Sequence, residues 1–190
     1  QEQSAAARIS AIDDLGVRRF HAIGHHTGGC AAVEMPVRYR DSILSLGLIG
    51  PVLVNDVERE EYKKTFVRPF AIETSGDFLK TAWEYLRMIG GGNTVEQHAR
   101  ELADHLTAHR TMPMAFSAVW EQDVEAFYRA VECPLMIMCS KGDVLWPLFE
   151  RAATLRPDAR QCVVGGGDFQ PDDDPEGVAQ GIVEFIDSVH

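Results

Sequence analysis

The sequence predicts an α/β fold, with a parallel sheet that is covered by helices on both faces. Short apolar runs typical of buried strands alternate with segments of helical periodicity. A block of charged, helix-periodic segments interrupts this alternation. The chain has 190 residues, 45% of them hydrophobic, which is enough for one sizeable core. We therefore expect one globular unit in three parts: a first core part at 1–54, a helical cap insertion at 55–128 and a second core part at 129–190.

The first core part is expected to contain a helix, a strand, a tight turn and a second helix. Apolar residues at helical intervals predict a helix over 5–15, which Gly16 ends. Residues 20–23 then form a short strand. A helix over 30–35 follows the turn until Pro36 interrupts or bends it.

The rest of the chain alternates in the same way around the cap. An apolar run at 42–53 is long enough for a buried strand of a parallel sheet. In the cap, helices over 78–88 and 95–108 are separated by a glycine-rich turn, and the histidines of the second helix are expected on a solvated face. For the second core part we expect strands at 134–139 and 161–164, a helix at 147–155 and a C-terminal helix after the loop at 165–174.

Charge and composition narrow the classes of partner. The net charge of -11 would repel nucleic acid and anionic membrane surfaces, so a small-molecule substrate is the expected partner. No stretch approaches the roughly 18 apolar residues of a membrane span, and the polar start is not a signal peptide. The four cysteines form no Cys-x-x-Cys pair and lie in or beside apolar runs. We expect a reducing, cytoplasmic location.

The glycine-rich turn after the first strand reads Gly24-His25-His26-Thr27-Gly28-Gly29. Its glycines match a nucleophile elbow, a sharp strand-to-helix turn whose tip residue is strained and closely packed. At the tip stands His26 in place of serine. An imidazole cannot form the ordinary ester acyl-enzyme that a serine hydroxyl forms. The turn therefore argues against standard serine hydrolysis.

Three motifs occur in an order and spacing that span nearly all of the chain. The first is the turn GHHTGG, similar to a G-H-S-x-G-G elbow. The second is the apolar run at 133–138 followed by Gly142-Asp143, with the aspartate four residues before Pro147. The third, at 167–176, is similar to a G-H-F-x-x-x-x-D-P-E ending. Together they resemble the α/β-hydrolase-fold superfamily, of which this chain would hold the C-terminal two-thirds.

The resemblance implies a set of site residues in which two of three differ from the superfamily. Asp143 matches the acid residue, whereas His26 stands in the seat of the nucleophile and Asp168 in the seat of the histidine. The backbone amide of Thr27 would be available to an oxyanion. The residues implied to line the pocket are His25, Trp146 and Phe169.

The superfamily also has about four strands before the helix that leads to the elbow, and these strands are absent here. The central sheet would then expose an apolar edge, which is an aggregation liability. We expect an N-terminal segment or a second chain to complete the sheet.

A histidine beside a carboxylate suits general acid-base chemistry, since the carboxylate orients the ring and favours its charged form. If Asp168 lies against His26, with Asp143 assisting, the pair could activate a water that attacks a small, largely apolar ester, lactone or similar carbonyl compound. Proton abstraction in a lyase or isomerase is the second hypothesis, and an inactive pseudo-hydrolase that binds a ligand or partner is the third.

We expect no cofactor. One histidine and two carboxylates could hold a metal ion, but His25 should point away from its neighbour, so we expect none.

Overall fold

Four parallel strands form the sheet: β1 (Phe20–His25), β2 (Ile43–Ile49), β3 (Leu135–Ser140) and β4 (Arg160–Val164). The computed structural model describes residues 2–66 and 72–189. Within these residues the strand order is β1-β2-β3-β4, and every adjacent pair is parallel. The carboxyl ends of the strands therefore meet at one edge, where His25, Ile49 and Met138 are in register.

Helices cover both faces of the sheet, as predicted. The described residues contain α1 (Glu2–Asp14), α2 (Thr27–Ala32), α3 (Met35–Arg38), α4 (Asp56–Phe66), α5 (Asp77–Met88), α6 (Val95–Ala108), α7 (Met112–Glu121), α8 (Val124–Ala130), α9 (Trp146–Leu155), α10 (Gln170–Asp173) and α11 (Pro175–Ser188). No helix among them combines the length and apolarity needed to cross a bilayer.

The core has a large and a small part because side chains of a strand alternate between its two faces. Leu46, Leu48 and Ile137 point into the large part, which α2, α8 and α9 cover. Met136 and Met138 point into the small part, which lies under α11. Strands buried on both faces account for the near-continuous apolar runs in the sequence.

Most element ends differ from those predicted by one to three residues, and two elements differ in a way that has a clear physical cause. β2 ends at Ile49 because Gly50 adopts a positive φ of 58° and Pro51 follows, so the rest of the apolar run is buried loop. The helix predicted at 30–35 begins earlier and is split in two. Pro36 lies in the first turn of α3, where its missing N–H leaves no hydrogen bond unmade.

The helical block between β2 and β3 comprises α4 to α8, in which α5 packs on α6 and α4 on α7. Residues 67–71 of the predicted cap lie outside the described residues, and the cap boundaries stay a prediction. The histidines of α6 do not share a solvated face. His98 is only 5% exposed, and its Nε2 lies 3.0 Å from the Trp83 carbonyl. The periodicity of the α6 sequence alone could not show that His98 packs against α5.

β1 lies at one end of the strand order, so one edge of it has no strand partner among the described residues. A groove of about 520 Å³ runs along this edge between α1 and α2. Its lining is largely apolar and includes Ile12, Phe20, Ile23, Gly28 and Met35.

Candidate functional site

The turn after β1 has the strand-turn-helix order predicted for it. β1 ends at His25 and α2 begins at Thr27, so His26 alone connects the two elements. His26 has φ 45° and ψ -115°, and it is the one non-glycine residue with positive φ in the described part of the chain. Its backbone N–H donates to the Ile49 carbonyl at 2.9 Å. The fold thus holds a strained backbone at the carboxyl edge of the sheet.

Close packing makes one glycine of this turn necessary and leaves another free. A Cβ at Gly24 would lie 2.6 Å from the Gly28 carbonyl oxygen and 2.7 Å from the Gly29 Cα. A Cβ at Gly28 would meet nothing within 4 Å. The match to a glycine-rich elbow therefore reflects close packing at Gly24 but not at Gly28, which lines the open groove.

His26 and Asp143 form a hydrogen-bonded pair at the centre of the site. Nε2 of His26 lies 2.9 Å from Oδ2 of Asp143. The Asp143 side chain is fully buried, whereas that of His26 is 24% exposed. Asp143 also accepts from the Leu145 amide at 2.7 Å and from the Gln170 side-chain amide. Burial alone would raise the pKa of Asp143, but the hydrogen bond and charge of His26, together with the hydrogen bonds from Leu145 and Gln170, hold that pKa below its usual value.

This pair determines which nitrogen of His26 is available for chemistry. An ionised carboxylate only accepts hydrogen bonds, so Nε2 must carry a hydrogen. Nδ1 has no hydrogen-bond partner within the ranges that the structure describes. The geometry therefore presents Nδ1 as the nitrogen that can accept a proton.

Asp168 belongs to the same cluster but is not the hydrogen-bond partner of His26. Its Oδ1 accepts from the Val144 amide at 2.8 Å. Gly90, in the loop between α5 and α6, lies against it, since a Cβ there would be 2.9 Å from the carboxyl carbon. Burial, followed by the charge of Asp143, raises the pKa of Asp168 to about 6. The carboxyl that sequence reasoning placed against His26 is thus a separate, weakly acidic group.

His25 does not point away from His26, and the prediction that it would is wrong. The two rings stack, with centroids 4.0 Å apart and an angle of 28° between their planes. Nε2 of His25 lies 2.9 Å from Oε1 of Gln170 and 3.0 Å from the Asp168 carbonyl oxygen. These two acceptors turn the ring inward over its neighbour. Burial, followed by the charge of His26, lowers the pKa of His25 to about 4.

Gln170 is the site residue that the sequence did not reveal. Its side chain is fully buried and joins His25 to Asp143. The one available signal was its position two residues after Asp168, in the loop that carries the third motif.

The roles that the sequence predicts for Thr27, Trp146 and Phe169 stay predictions. Thr27 is the first residue of α2, so its amide lies at the start of that helix. Trp146 is the first residue of α9 and stacks on Phe149 with 5.0 Å between ring centroids. Phe169 is half-buried and immediately precedes α10. In the described part of the chain, no group of three or more His, Cys, Asp or Glu side chains could hold a metal ion.

Comparison with solved structures shows that the chain has the α/β-hydrolase fold. It is similar to a hydrolase from Pseudomonas aeruginosa, with a TM-score of 0.74, 19% identity and coverage of 96% of this chain and 70% of the other. It is also similar to a bromoperoxidase from Bacillus anthracis, with a TM-score of 0.71, 14% identity and coverage of 96% and 72%. These identities show the fold and no activity.

Sequence comparison gives one curated relative. The chain is 24% identical to a fluoroacetate dehalogenase from a Burkholderia species, over 90% of this chain and 65% of that protein. It therefore spans just under two thirds of the length of the curated relative it matches. No protein-family model matches the chain.

Stability should depend on pH in opposite directions through His25 and Asp168. The pKa of His25 falls from 6.5 to about 4 in the fold, so its contribution is present above pH 6.5 and lost as the pH falls to about 4. The pKa of Asp168 rises from 3.8 to about 6, so its contribution is present below pH 3.8 and lost as the pH rises to about 6. The two slopes oppose each other between about pH 4 and 6.

An Asp168→Asn variant is expected to remove one of these slopes while keeping the acceptor for Val144. Its free energy of unfolding should then fall by about 2 kcal/mol between pH 6.5 and 4, relative to the change in the parent protein. Urea unfolding at several pH values measures this. Asp14→Asn, at an exposed position at the end of α1, is the control. A variant whose pH dependence parallels that of the parent protein would contradict the raised pKa of Asp168.

Proposed function

We propose that this protein is a hydrolase-like enzyme in which His26 acts as a general base on a small, largely apolar carbonyl compound such as an ester or lactone. The observation that carries the proposal is the 2.9 Å contact between His26 Nε2 and the buried carboxylate of Asp143. This contact leaves Nδ1 on a partly exposed ring at the carboxyl edge of a parallel sheet. Ligand sites of such sheets lie at that edge.

The proposed reaction uses water in place of a serine hydroxyl. Nδ1 of His26 takes a proton from a water molecule, whose oxygen attacks the carbonyl carbon. The leaving oxygen then takes that proton from Nδ1 as its bond to the carbon breaks. The fixed negative charge of Asp143 stabilises the imidazolium between these two steps. The Thr27 amide is proposed to donate to the oxyanion.

Asp168 is proposed as a second proton donor in this cluster. Its pKa of about 6 keeps part of the population protonated near neutral pH. In that fraction, Asp168 is proposed to protonate the leaving oxygen in place of Nδ1, and the proton held on His26 then returns to the Asp168 carboxylate. The pocket over the cluster is proposed to be formed by His25, Trp146, Phe169 and the part of the helical cap that lies against Asp168 at Gly90.

A lyase or isomerase reaction is the second candidate, because such a reaction needs a base and no nucleophile. Nδ1 of His26 would remove a proton from the carbon next to the carbonyl group. The absence of a hydroxyl at the tip of the turn favours this candidate over serine-type acyl transfer. An inactive pseudo-hydrolase that only binds a ligand or partner is the third.

We also propose that a further strand pairs with the open edge of β1, supplied by an N-terminal segment or by a second chain. An apolar edge strand beside a groove of about 520 Å³ supports this, since exposed edges are aggregation-prone unless covered. A cytoplasmic location stays part of the proposal, as all four cysteines are free thiols.

A His26→Ala variant tests the proposed base. Turnover is assayed with p-nitrophenyl acetate, γ-butyrolactone and, because of the curated relative, fluoroacetate with fluoride detection. On a substrate that the parent protein converts, the variant is expected to lose about 10²-fold to 10⁴-fold in kcat.

His109→Ala, at the end of α6, is the matched control and should keep full activity. Unchanged turnover in the His26 variant would remove His26 from the mechanism. A parent protein that binds these compounds without converting any of them would favour the pseudo-hydrolase.

A further inference from the structure

A buried glutamine connects the two histidines of the site through Asp143. Gln170 is fully buried at the start of α10, which follows β4. Its Oε1 lies 2.9 Å from Nε2 of His25, and its side-chain nitrogen donates to Oδ2 of Asp143. Since a carboxylate cannot donate, only this orientation of the amide satisfies both partners.

His25 can only act as a donor toward this amide. Both groups within reach of its Nε2 are oxygen acceptors, namely Oε1 of Gln170 and the carbonyl oxygen of Asp168. Nε2 therefore carries the hydrogen. Burial keeps the pKa of His25 at about 4, so the ring is neutral near pH 7 and does not exchange this hydrogen with a reaction.

Two hydrogen bonds converge on Oδ2 of Asp143, one from Gln170 and one from His26. His25 donates to Gln170, Gln170 donates to Asp143, and His26 donates to the same carboxylate oxygen. The reverse tautomer of His26 would place a lone pair against Oδ2. The stacked ring of His25, with its centroid 4.0 Å away, limits rotation of the His26 ring.

We propose that Gln170 and His25 are positioning residues that hold His26 in the Nε2–H tautomer, so that Nδ1 is always the nitrogen that accepts the proton. The role of Nδ1 in turnover rests on the proposed function, whereas the tautomer does not. Gln170 acts by fixing the carboxylate of Asp143, and His25 acts by fixing Gln170 and by stacking on His26. Neither residue transfers the reaction proton itself.

The tautomer can be measured directly by ¹⁵N NMR of histidine-labelled protein, at a pH at which the His26 ring is neutral. In the parent protein, His26 should show a protonated Nε2 and an unprotonated Nδ1. Gln170→Met keeps the length of the side chain and removes both hydrogen bonds, so the two ¹⁵N resonances of His26 should move toward each other as the tautomers mix. Gln180→Met, at an exposed position on α11, should leave them unchanged.

The kinetic parameters of the variants distinguish a loss of positioning from a loss of folding. On a substrate that the parent protein converts, Gln170→Met should lower kcat about tenfold and leave KM unchanged, because orientation is lost and binding is not. His25→Phe provides a second variant, which keeps the stacked ring and removes the donor to Gln170. It should also mix the tautomers of His26.

The outcomes test the positioning role of Gln170 and His25 separately from the proposed enzymatic function. An Nδ1–H tautomer in the parent protein, or an unchanged tautomer in both variants, would overturn the positioning role whatever the activity. A fixed Nε2–H tautomer that mixes in the variants would support it. The same tautomer result in a protein that converts no substrate would leave the positioning role supported and contradict only the proposed enzyme.

Discussion

A Gly24→Ala variant is expected to lose most of its stability. The added Cβ would lie 2.6 Å from the Gly28 carbonyl oxygen and 2.7 Å from the Gly29 Cα, and both atoms belong to the backbone. Backbone cannot rotate away as a side chain can, so α2 would have to move off β1. We expect a cost of at least about 3 kcal/mol in the free energy of unfolding. Urea or thermal unfolding measures it.

Gly28→Ala is the matched control, since it makes the same substitution four residues later in the same turn. A Cβ there meets nothing within 4 Å. Gly28 lies in α2, where alanine is about 1 kcal/mol more favourable than glycine. This variant should therefore be as stable as the parent protein or slightly more so. Equal losses for both glycines would show that β1 and α2 are not packed as described.

A Gly50→Ala variant is expected to separate His26 from Asp143. Gly50 follows β2 with a φ of 58°, and a Cβ there would lie 2.2 Å from Cδ2 and 2.4 Å from Nε2 of the His26 ring. The ring must leave its position for the variant to fold. The left-handed backbone adds about 1 to 2 kcal/mol and the overlap about 1 to 3 kcal/mol. Turnover by the proposed base should fall with the displacement of the ring.

Two controls separate the cost of the left-handed backbone from the cost of overlap with the His26 ring. Gly16→Ala has a similar φ of 75° with open space around its Cβ, so it carries the backbone cost alone. In a Gly50→Ala, His26→Ala double variant the ring is gone, and the overlap cost should disappear. The double-mutant cycle measures this coupling in the unfolding free energy. If the two substitutions were simply additive, Gly50 would not be the residue that makes room for the ring.

Much of the fold follows from local sequence patterns. The four apolar runs predict the four strands, and the glycine-rich turn predicts the strand-turn-helix order at His26. The order of strands along the chain also brings His26, Asp143 and Asp168 to one edge, because the carboxyl ends of parallel strands meet there. Strand ends such as that of β2 were less predictable, since a glycine with positive φ ends it inside an apolar run.

The contacts inside the site did not follow from the sequence, because they depend on the placement of side chains from distant segments. His25 stacks on His26 only because Gln170 and the Asp168 carbonyl oxygen, about 145 residues later, attract its Nε2. The sequence also does not show that His26 pairs with Asp143, at 2.9 Å, while Asp168 accepts from the Val144 amide instead. A sequence motif gives the order of such groups and not their pairing.

The contact between Gly90 and Asp168 bears on how the protein could change during evolution. His25, His26, Asp143, Asp168 and Gln170 all belong to the two core parts, whereas Gly90 brings the helical block against the carboxyl of Asp168. In the proposed enzyme, substitutions elsewhere in the block would change what lies against Asp168 without altering the side chains proposed to transfer protons. These two sets of residues are encoded in separate stretches of the gene, so selection can act on one while the other is retained.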